Sequence, residues 1–297
     1  MDGKRVIGVD LGGTKILAGV VDRAGHVEGR REHATPTGSQ EELLAGLDSA
    51  VEEHMSGEIA ALGFGIPSPI DQRSGRATQA VNIPLGDLDF RARMAERFGL
   101  PVGIENDANA ATYAEFRFGA GRDVDDMVML TLGTGCGGGA VVDGRLFRGW
   151  AEFGHMVIVY DGIPCQGSCT GRGHLEPYVT GVAAAKLAQE EFGPAGDAHR
   201  LVRLAREGEP RAVEILEGIG RHLGAGIGSL VNIFNPQLVV IGGGFAAAGD
   251  FVLDPAREVL RREALAGAGH RVSIVRAELG TAAGLIGASL VAFDALE

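Results

Sequence analysis

Apolar and polar positions along this chain fall into a pattern that occurs twice. Near the start, Arg5 to Asp10 is almost wholly apolar, a Gly-Gly pair follows, and a second apolar run covers Ile16 to Val21 before the "DRAG" turn and a third segment. Short apolar runs bounded by glycine turns read as buried strands, here the three strands of a β-meander. From Met127 the pattern restarts with a strand, the glycine turn of "LTLGTGCGGGAVVD", a second strand, the Asp143-Gly144 turn and a short third strand. Laid over "VDLGGTKILAGVVD", this copy puts Leu132 on Leu11, Gly133 on Gly12, Val141 and Val142 on Val20 and Val21, and Asp143 on Asp22.

Elsewhere the periodicity is mostly helical. "QEELLAGLDSAVEEH", Gln40 to His54, has apolar positions at helical spacing and acidic residues where the helix dipole favours them. "IAALGFGIPSPID" reads as a strand entering a Gly-Pro loop, "FRARMAERFGL" as a helix stopped at Gly99, and "PVGIEND" as a strand feeding the helical "ANAATYAEFRFG". Val213, Leu216, Ile219, Leu223, Ile227, Leu230 and Phe234 recur every three or four residues until Asn235-Pro236. "QLVVIGGGF" is then a strand emptying into three glycines, followed by a helix, the strand "RVSIVRAE" and a last helix from about Ala283.

A length of 297 residues suits two packed lobes. The polar, glycine-containing "GAGRDVDD" just before the repeat predicts a boundary between a smaller N-terminal lobe, 1–118, and a larger C-terminal lobe, 119–297. The last helix, about 283–297, is a candidate to pack back on the N-terminal lobe.

Composition narrows the function. With 45% hydrophobic, 22% charged and 5% aromatic residues the chain reads as a soluble globular protein. A net charge of -12 without a dense basic tract disfavours nucleic acid. No apolar run is long enough for a bilayer, and "MDGKRVIGVD" leaves no room for a signal peptide, so no membrane partner is expected. An odd count of 3 cysteines argues against a disulfide framework, and a cytoplasmic location follows as the expectation.

The 48 glycines cluster at strand ends: Gly12-Gly13, Gly133 to Gly139, and Gly242 to Gly244. Amides exposed at such turns bind phosphate oxygens. Any one alone reads more simply as a tight hairpin, whereas three together favour phosphate. No P-loop sequence occurs, and Gly133, Gly135 and Gly138 match G-x-G-x-x-G but precede a strand, where a dinucleotide fingerprint needs a helix. A duplicated hairpin describes an α/β, two-lobed actin-like ATPase fold, the architecture of sugar kinases, heat-shock ATPases and actin, with a duplicated β-meander core and nucleotide in an interlobe cleft. Candidate ATP contacts are Gly12, Gly13, Thr14 and Lys15 from the first turn, Gly133, Thr134, Gly135 and Gly137 from the second, and Gly242, Gly243 and Gly244 on the adenosine side. Asp10, matched by Thr131 in the second copy, suits Mg²⁺, which takes few protein carboxylates and keeps several waters.

His155, Cys165, Cys169 and His174 offer borderline and soft ligands close together, suited to tetrahedral zinc. The plain alternative is two free cysteines and two ordinary histidines. Cys136, remote in sequence, reads as a space-filler.

In order, "DLGGTK", "ENDANAA", "LGTGCGGG", "EFGH", the Cys/His segment and "LVVIGGG" resemble the ROK family (repressors, open reading frames and sugar kinases), above all its glucokinases, over nearly the whole chain. The resemblance implies an ATP-dependent hexose kinase acting on the 6-hydroxyl, glucose first. Alternatives are a kinase for fructose, N-acetylglucosamine, N-acetylmannosamine or another polyol, a polyphosphate donor, or a sugar-sensing regulator. Family regulators carry a helix-turn-helix before the first phosphate turn, which here begins at residue 10, so that reading ranks last. A homodimer or homotetramer is implied.

By the same resemblance Asp107 is the catalytic base, and Asn106, Asp107, Glu152, His155, Glu176, Asn82 and the backbone near Gly65 contact the sugar. Read locally, Asn106 and Asp107 are equally a helix N-cap, and a helix N-terminus is expected to keep Asp107 ionised and weakly basic. Ser68 replaces the second glycine usual in the family's Gly-x-Pro-Gly loop. The family's structural zinc is held by one histidine and three cysteines. Here the first two cysteines are spaced more widely and His174 stands in for the third.

Overall fold

A computed structural model of the protein describes residues 3–78, 80, 83–265 and 267–297. The chain forms two compact units, one of Met1–Gly119, Arg148–Trp150 and Thr281–Glu297, the other of Ala120–Phe147 and Ala151–Gly280.

The first unit opens with a meander of β1 (Arg5–Leu11), β2 (Lys15–Val21) and β3 (Val27–Ala34). Helix α1 (Gln40–Glu52), capped by the Ser39 hydroxyl accepting from Glu42 N–H, leads to β4 (Ile59–Ile66). A small hairpin of β5 (Ile70–Asp71) and β6 (Arg76–Ala77) precedes α2 (Phe90–Phe98), which Gly99 ends in the left-handed region at φ 66. Strand β7 (Val102–Asn106) runs straight into α3 (Asp107–Phe118). The sheet order is β3-β2-β1-β4-β7, with β1, β4 and β7 parallel. Parallel strands covered on both faces need apolar side chains throughout, and β1 and β4 are buried along nearly their whole length.

The second unit repeats the scheme. Its meander is β8 (Met127–Leu132), β9 (Cys136–Val142) and β10 (Arg145–Leu146). A mainly helical stretch follows: α4 (Glu176–Val179), α5 (Gly181–Phe192), α6 (Ala198–Arg206) and the long α7 (Pro210–Phe234), which Asn235 closes at φ 46. After β11 (Leu238–Gly242) come α8 (Asp250–Glu263), α9 (Ala268–Arg271) and β12 (Ser273–Arg276). The order β10-β9-β8-β11-β12 is that of the first sheet element for element. The turns correspond as well, between Leu11 and Lys15 in one copy and between Leu132 and Cys136 in the other. This is the two-lobed, actin-like arrangement that the repeat predicts. Among the described residues no helix is long and apolar enough to cross a membrane.

The last helix, α10 (Ala283–Asp294), belongs to the first unit and is buried over most of its length. It lies so close to the strands that a Cβ at Gly8 would stand 2.4 Å from the Leu285 carbonyl oxygen. At Gly63 it would stand 1.8 Å from that of Ala288, and at Gly103 2.1 Å from that of Val291. Gly287 of the helix meets the Ala110 carbonyl of α3 in the same way, at 1.8 Å. Part of the glycine excess therefore clears a seat for a helix, a use that reading the glycines as strand-end turns does not anticipate. A methyl group here meets backbone, which cannot swing aside, so Gly63→Ala is expected to cost at least about 3 kcal/mol in urea unfolding. An unchanged unfolding midpoint would show that α10 can lift off its seat.

Candidate functional site

In the first unit the sheet topology brings three strand ends together. Asp10 on β1 pairs in register with Gly65 on β4, and Ile66 next to it pairs with Asn106 on β7. Asp107 begins α3 immediately after. A Cβ on Gly65 would come 3.6 Å from Asp107 Cα and 3.9 Å from Asp10 Oδ1, which places the glycine beside both acidic residues. Asn106 is an N-cap: its Oδ1 accepts from Ala108 N–H at 2.9 Å and Asn109 N–H at 3.2 Å, and its side chain also bonds the Asp107 carboxylate. Asp107 Oδ1 accepts from Ala108 N–H at 2.9 Å.

Electrostatics here departs from the local expectation. Burial raises the Asp107 pKa, and the donors of the helix start and Asn106 only partly offset it. Sequence position alone predicts a weakly basic Asp107, whereas removal of water makes it a better base. Asp10 is pushed up to about 7, by burial first and then by the charge of Asp107, with Arg30 opposing. Space for the Asp10 carboxylate is left by Gly284 of α10, where a Cβ would lie 2.2 Å from Asp10 Oδ2.

Two further buried polar groups lie here, of which the sequence singles out Ser68 but not Glu105. Glu105, 2% exposed, accepts from Asn106 N–H at 3.0 Å and from Asn109 Nδ2 at 3.2 Å, and Asn109 Nδ2 also donates to Gly149 O at 3.4 Å. Burial raises the Glu105 pKa too. Ser68, 1% exposed, donates to the Thr78 carbonyl at 2.8 Å, so the residue that departs from the family's glycine knits its own loop. Asn82 lies outside the described residues.

The first glycine turn is closed by Gly12 N–H to Lys15 O at 2.8 Å, and Thr35 pins it from the end of β3. The Thr35 hydroxyl donates to Gly12 O at 2.8 Å, and its N–H donates to Thr14 O at 3.0 Å. Gly13 and Thr14 are exposed. Lys15 is ion-paired to Glu32 at 2.7 Å with both side chains at least half exposed, a pairing weak enough to exchange for a phosphate.

In the second unit the turn is closed by Gly133 N–H to Gly135 O at 2.9 Å, with Thr134 exposed at its tip and Gly137 one residue into β9. Gly181 N–H donates to Gly133 O at 2.9 Å, and Cys136 N–H donates to Glu176 Oε2 at 2.8 Å. Gly242 ends β11, Gly244 is exposed, and Gly243 has φ 81 with its Cβ position only 2.3 Å from Leu132 O. The third glycine cluster is thus seated on the base of the second turn, where only glycine fits. Cys136 is buried and burial pushes its thiol far up, as befits a space-filler. Glu152 precedes the 3₁₀ turn Phe153–His155, whose Gly154 leaves 2.1 Å between a Cβ and Cys136 O.

From His155 the chain makes a narrow excursion, bridged at Val157↔His174 and Pro164↔Arg172, with His155 and His174 at its base and Cys165 and Cys169 near its tip. One ligand atom from each lies within 4.8 Å of the others. His155 Nδ1 is 3.2 Å from His174 Nδ1, Cys165 Sγ is 3.7 Å from His155 Nδ1, and Cys169 Sγ is 3.6 Å from His174 Nδ1. A tetrahedral zinc shell with ordinary bond lengths has N···N edges of about 3.3 Å and N···S edges of about 3.6 Å. The wider cysteine spacing and the extra histidine therefore close a shell of the right size. Each imidazole turns Nδ1 inward, which leaves Nε2 for a second partner.

The raised carboxylates fix a pH dependence for the metal-free protein. Since the folded pKa of Asp10 lies above the ordinary aspartate value of 3.8, its stabilisation is complete below about 4 and is lost as pH rises through about 7. Asp107 and Glu105 shift in the same direction. Asp10→Asn should therefore raise the melting temperature at pH 8 and leave it nearly unchanged at pH 4. Equal effects at both pH values would show that Asp10 titrates in the metal-free fold as it does in the unfolded chain.

Comparison with known proteins places these features in one group. The ROK family model matches residues 6–295. A glucokinase from Streptomyces coelicolor is 37% identical over 306 residues, spanning 95% of this chain and 96% of its own length. The crystal structure of a ROK family glucokinase from Streptomyces griseus in complex with glucose and AMPPNP superposes with a TM-score of 0.84 at 36% identity, covering 98% of this chain and 99% of that one. A xylose repressor from Caldicellulosiruptor bescii is 28% identical over 310 residues, 95% of this chain and 76% of the repressor. The chain belongs to the ROK family.

Proposed function

We propose that the protein is an ATP-dependent hexose kinase that transfers the γ-phosphoryl group to the 6-hydroxyl, with glucose as the first substrate to test. The observation that carries this reading is Asp107, a carboxylate made more basic by burial at the β7–α3 junction, beside a second carboxylate at Asp10. It stands in a chain 36% identical to a glucokinase crystallised with glucose and AMPPNP. In this reading Asp107 accepts the hydroxyl proton as the sugar oxygen attacks phosphorus, and Asn106 holds the carboxylate. The turns at Gly12–Lys15 and Gly133–Gly135 take phosphate oxygens, Gly137 and Gly242 to Gly244 complete the nucleotide side, and Asp10 orients the Mg²⁺ that accompanies ATP. Glu152, Glu176 and His155 Nε2 read sugar hydroxyls, with the backbone at Gly65 and with Asn82. His155, Cys165, Cys169 and His174 would hold zinc; four protein donors leave no open position, so the ion stiffens the sugar loop and takes no part in the chemistry. A homodimer or homotetramer fits the family.

The match to a repressor supports a second reading, sugar sensing without turnover. ADP release measured over a panel of sugars and donors, polyphosphate included, separates the two. Turnover is expected with a hexose and ATP, and sugar binding without turnover, together with a sequence-specific gel shift, would favour the regulator. Asp107→Asn should lower kcat by at least about 10²-fold while calorimetry still detects glucose; near-normal turnover would remove Asp107 as the base. Chelation, or His174→Ala, should raise the sugar KM by about tenfold or more, and metal analysis should find one zinc per chain in untreated protein. Zinc-free protein with unchanged KM would reject the metal's role.

A further inference from the structure

The peptide at Cys136 is where two segments assigned to the sugar meet the turn assigned to phosphate. Its N–H donates to Glu176 Oε2 at 2.8 Å. Its carbonyl is approached by Gly154, in the "EFGH" segment, so closely that a Cβ there would sit at 2.1 Å. One residue earlier, a Cβ on Gly135 would stand 2.8 Å from the same Glu176 oxygen. The far side of the turn is held by the same stretch of chain, through Gly181 N–H to Gly133 O at 2.9 Å. Residues 176–181 thus grip the turn at both ends, with the Glu176 side chain at one end and the Gly181 backbone at the other. The corresponding turn of the first unit is pinned by a neutral hydroxyl, that of Thr35.

We infer that Glu176 is a positioning residue for the nucleotide, holding the second phosphate turn through Cys136 N–H and thereby coupling sugar occupancy to nucleotide affinity. The inference rests on the kinase reading and deepens it. A carboxylate has two oxygens in one rigid plane. With Oε2 committed to Cys136 N–H, a sugar hydroxyl bound at Oε1 fixes that plane, and with it the direction in which Oε2 pulls on the turn. Sugar then favours the turn conformation that accepts phosphate, and by linkage nucleotide must favour sugar by the same factor. A methyl group at Gly135 would stand 2.8 Å from the same Glu176 oxygen and would push the flexible carboxylate off the turn.

The test measures binding without turnover: AMPPNP affinity of the whole protein by calorimetry, with and without saturating glucose, in wild type, Glu176→Ala and Glu176→Gln. Glu176→Ala should weaken AMPPNP about tenfold in the absence of sugar, the scale of one hydrogen bond to a charged group, and abolish the enhancement by glucose. Glu176→Gln keeps an acceptor for Cys136 N–H and should restore most of the sugar-free affinity, a rescue that a general loss of packing would not give. Gly135→Ala should cost affinity in wild type and much less on top of Glu176→Ala, whose shortened side chain removes the clash. Matched melting temperatures and zinc content identify the variants as folded. Sugar-free AMPPNP affinity unchanged in Glu176→Ala, or strictly additive effects in the double variant, would overturn the coupling while leaving the kinase intact. Failure of wild type to bind AMPPNP at all would instead overturn the kinase reading.

Discussion

The closeness of one helix to one sheet sets the character of the first unit. α10 rests on β1, β4 and β7 with its carbonyl oxygens against strand backbone, which is possible only because Gly8, Gly63 and Gly103 present no side chain. Those three strands carry Asp10, Gly65 and Asn106 at their ends, so the packing that fixes the sheet also fixes the spacing of these candidate site residues. Gly284 then lets the helix pass directly over Asp10. Stability and electrostatics have a common origin here: the same close approach that buries apolar surface strips water from a carboxylate.

The cost of that arrangement is a pair of acidic groups enclosed together, with burial raising both and the charge of Asp107 adding to the rise at Asp10. Such a pair is retained where a cation or a transferred proton relieves it during the working cycle. The second unit has the same meander and strand order but Thr131 where the first has Asp10. The two turns are equivalent in the strand order but differ in single side chains: Asp10 ends the strand before one, and the Glu176 carboxylate accepts from Cys136 N–H at the other.

Much of this was legible in the sequence, for a physical reason. Strands, turns and helix ends are written in near neighbours, so both meanders, the stop at Gly99 and the stop at Asn235 follow from local pattern. The four metal-binding candidates are legible because they lie in one short excursion. What local pattern does not contain is the identity of distant partners. Nothing around Gly63 announces Ala288, and nothing around Cys136 announces Glu176. Asp107 shows the limit most plainly: the neighbouring helix start argues for an ordinary acid, and tertiary enclosure decides otherwise.

The first unit is assembled from separated stretches of chain, whereas the second is continuous apart from Arg148–Trp150. During synthesis the first sheet is therefore made early but waits, one face bare, until α10 emerges long after β7. Its edges and apolar face are open to wrong partners throughout that interval, while the later-made unit can condense on its own. Docking of the final helix is thus the event that ends exposure, and yield in a heterologous host should be governed by how quickly that helix reaches its glycine-lined seat.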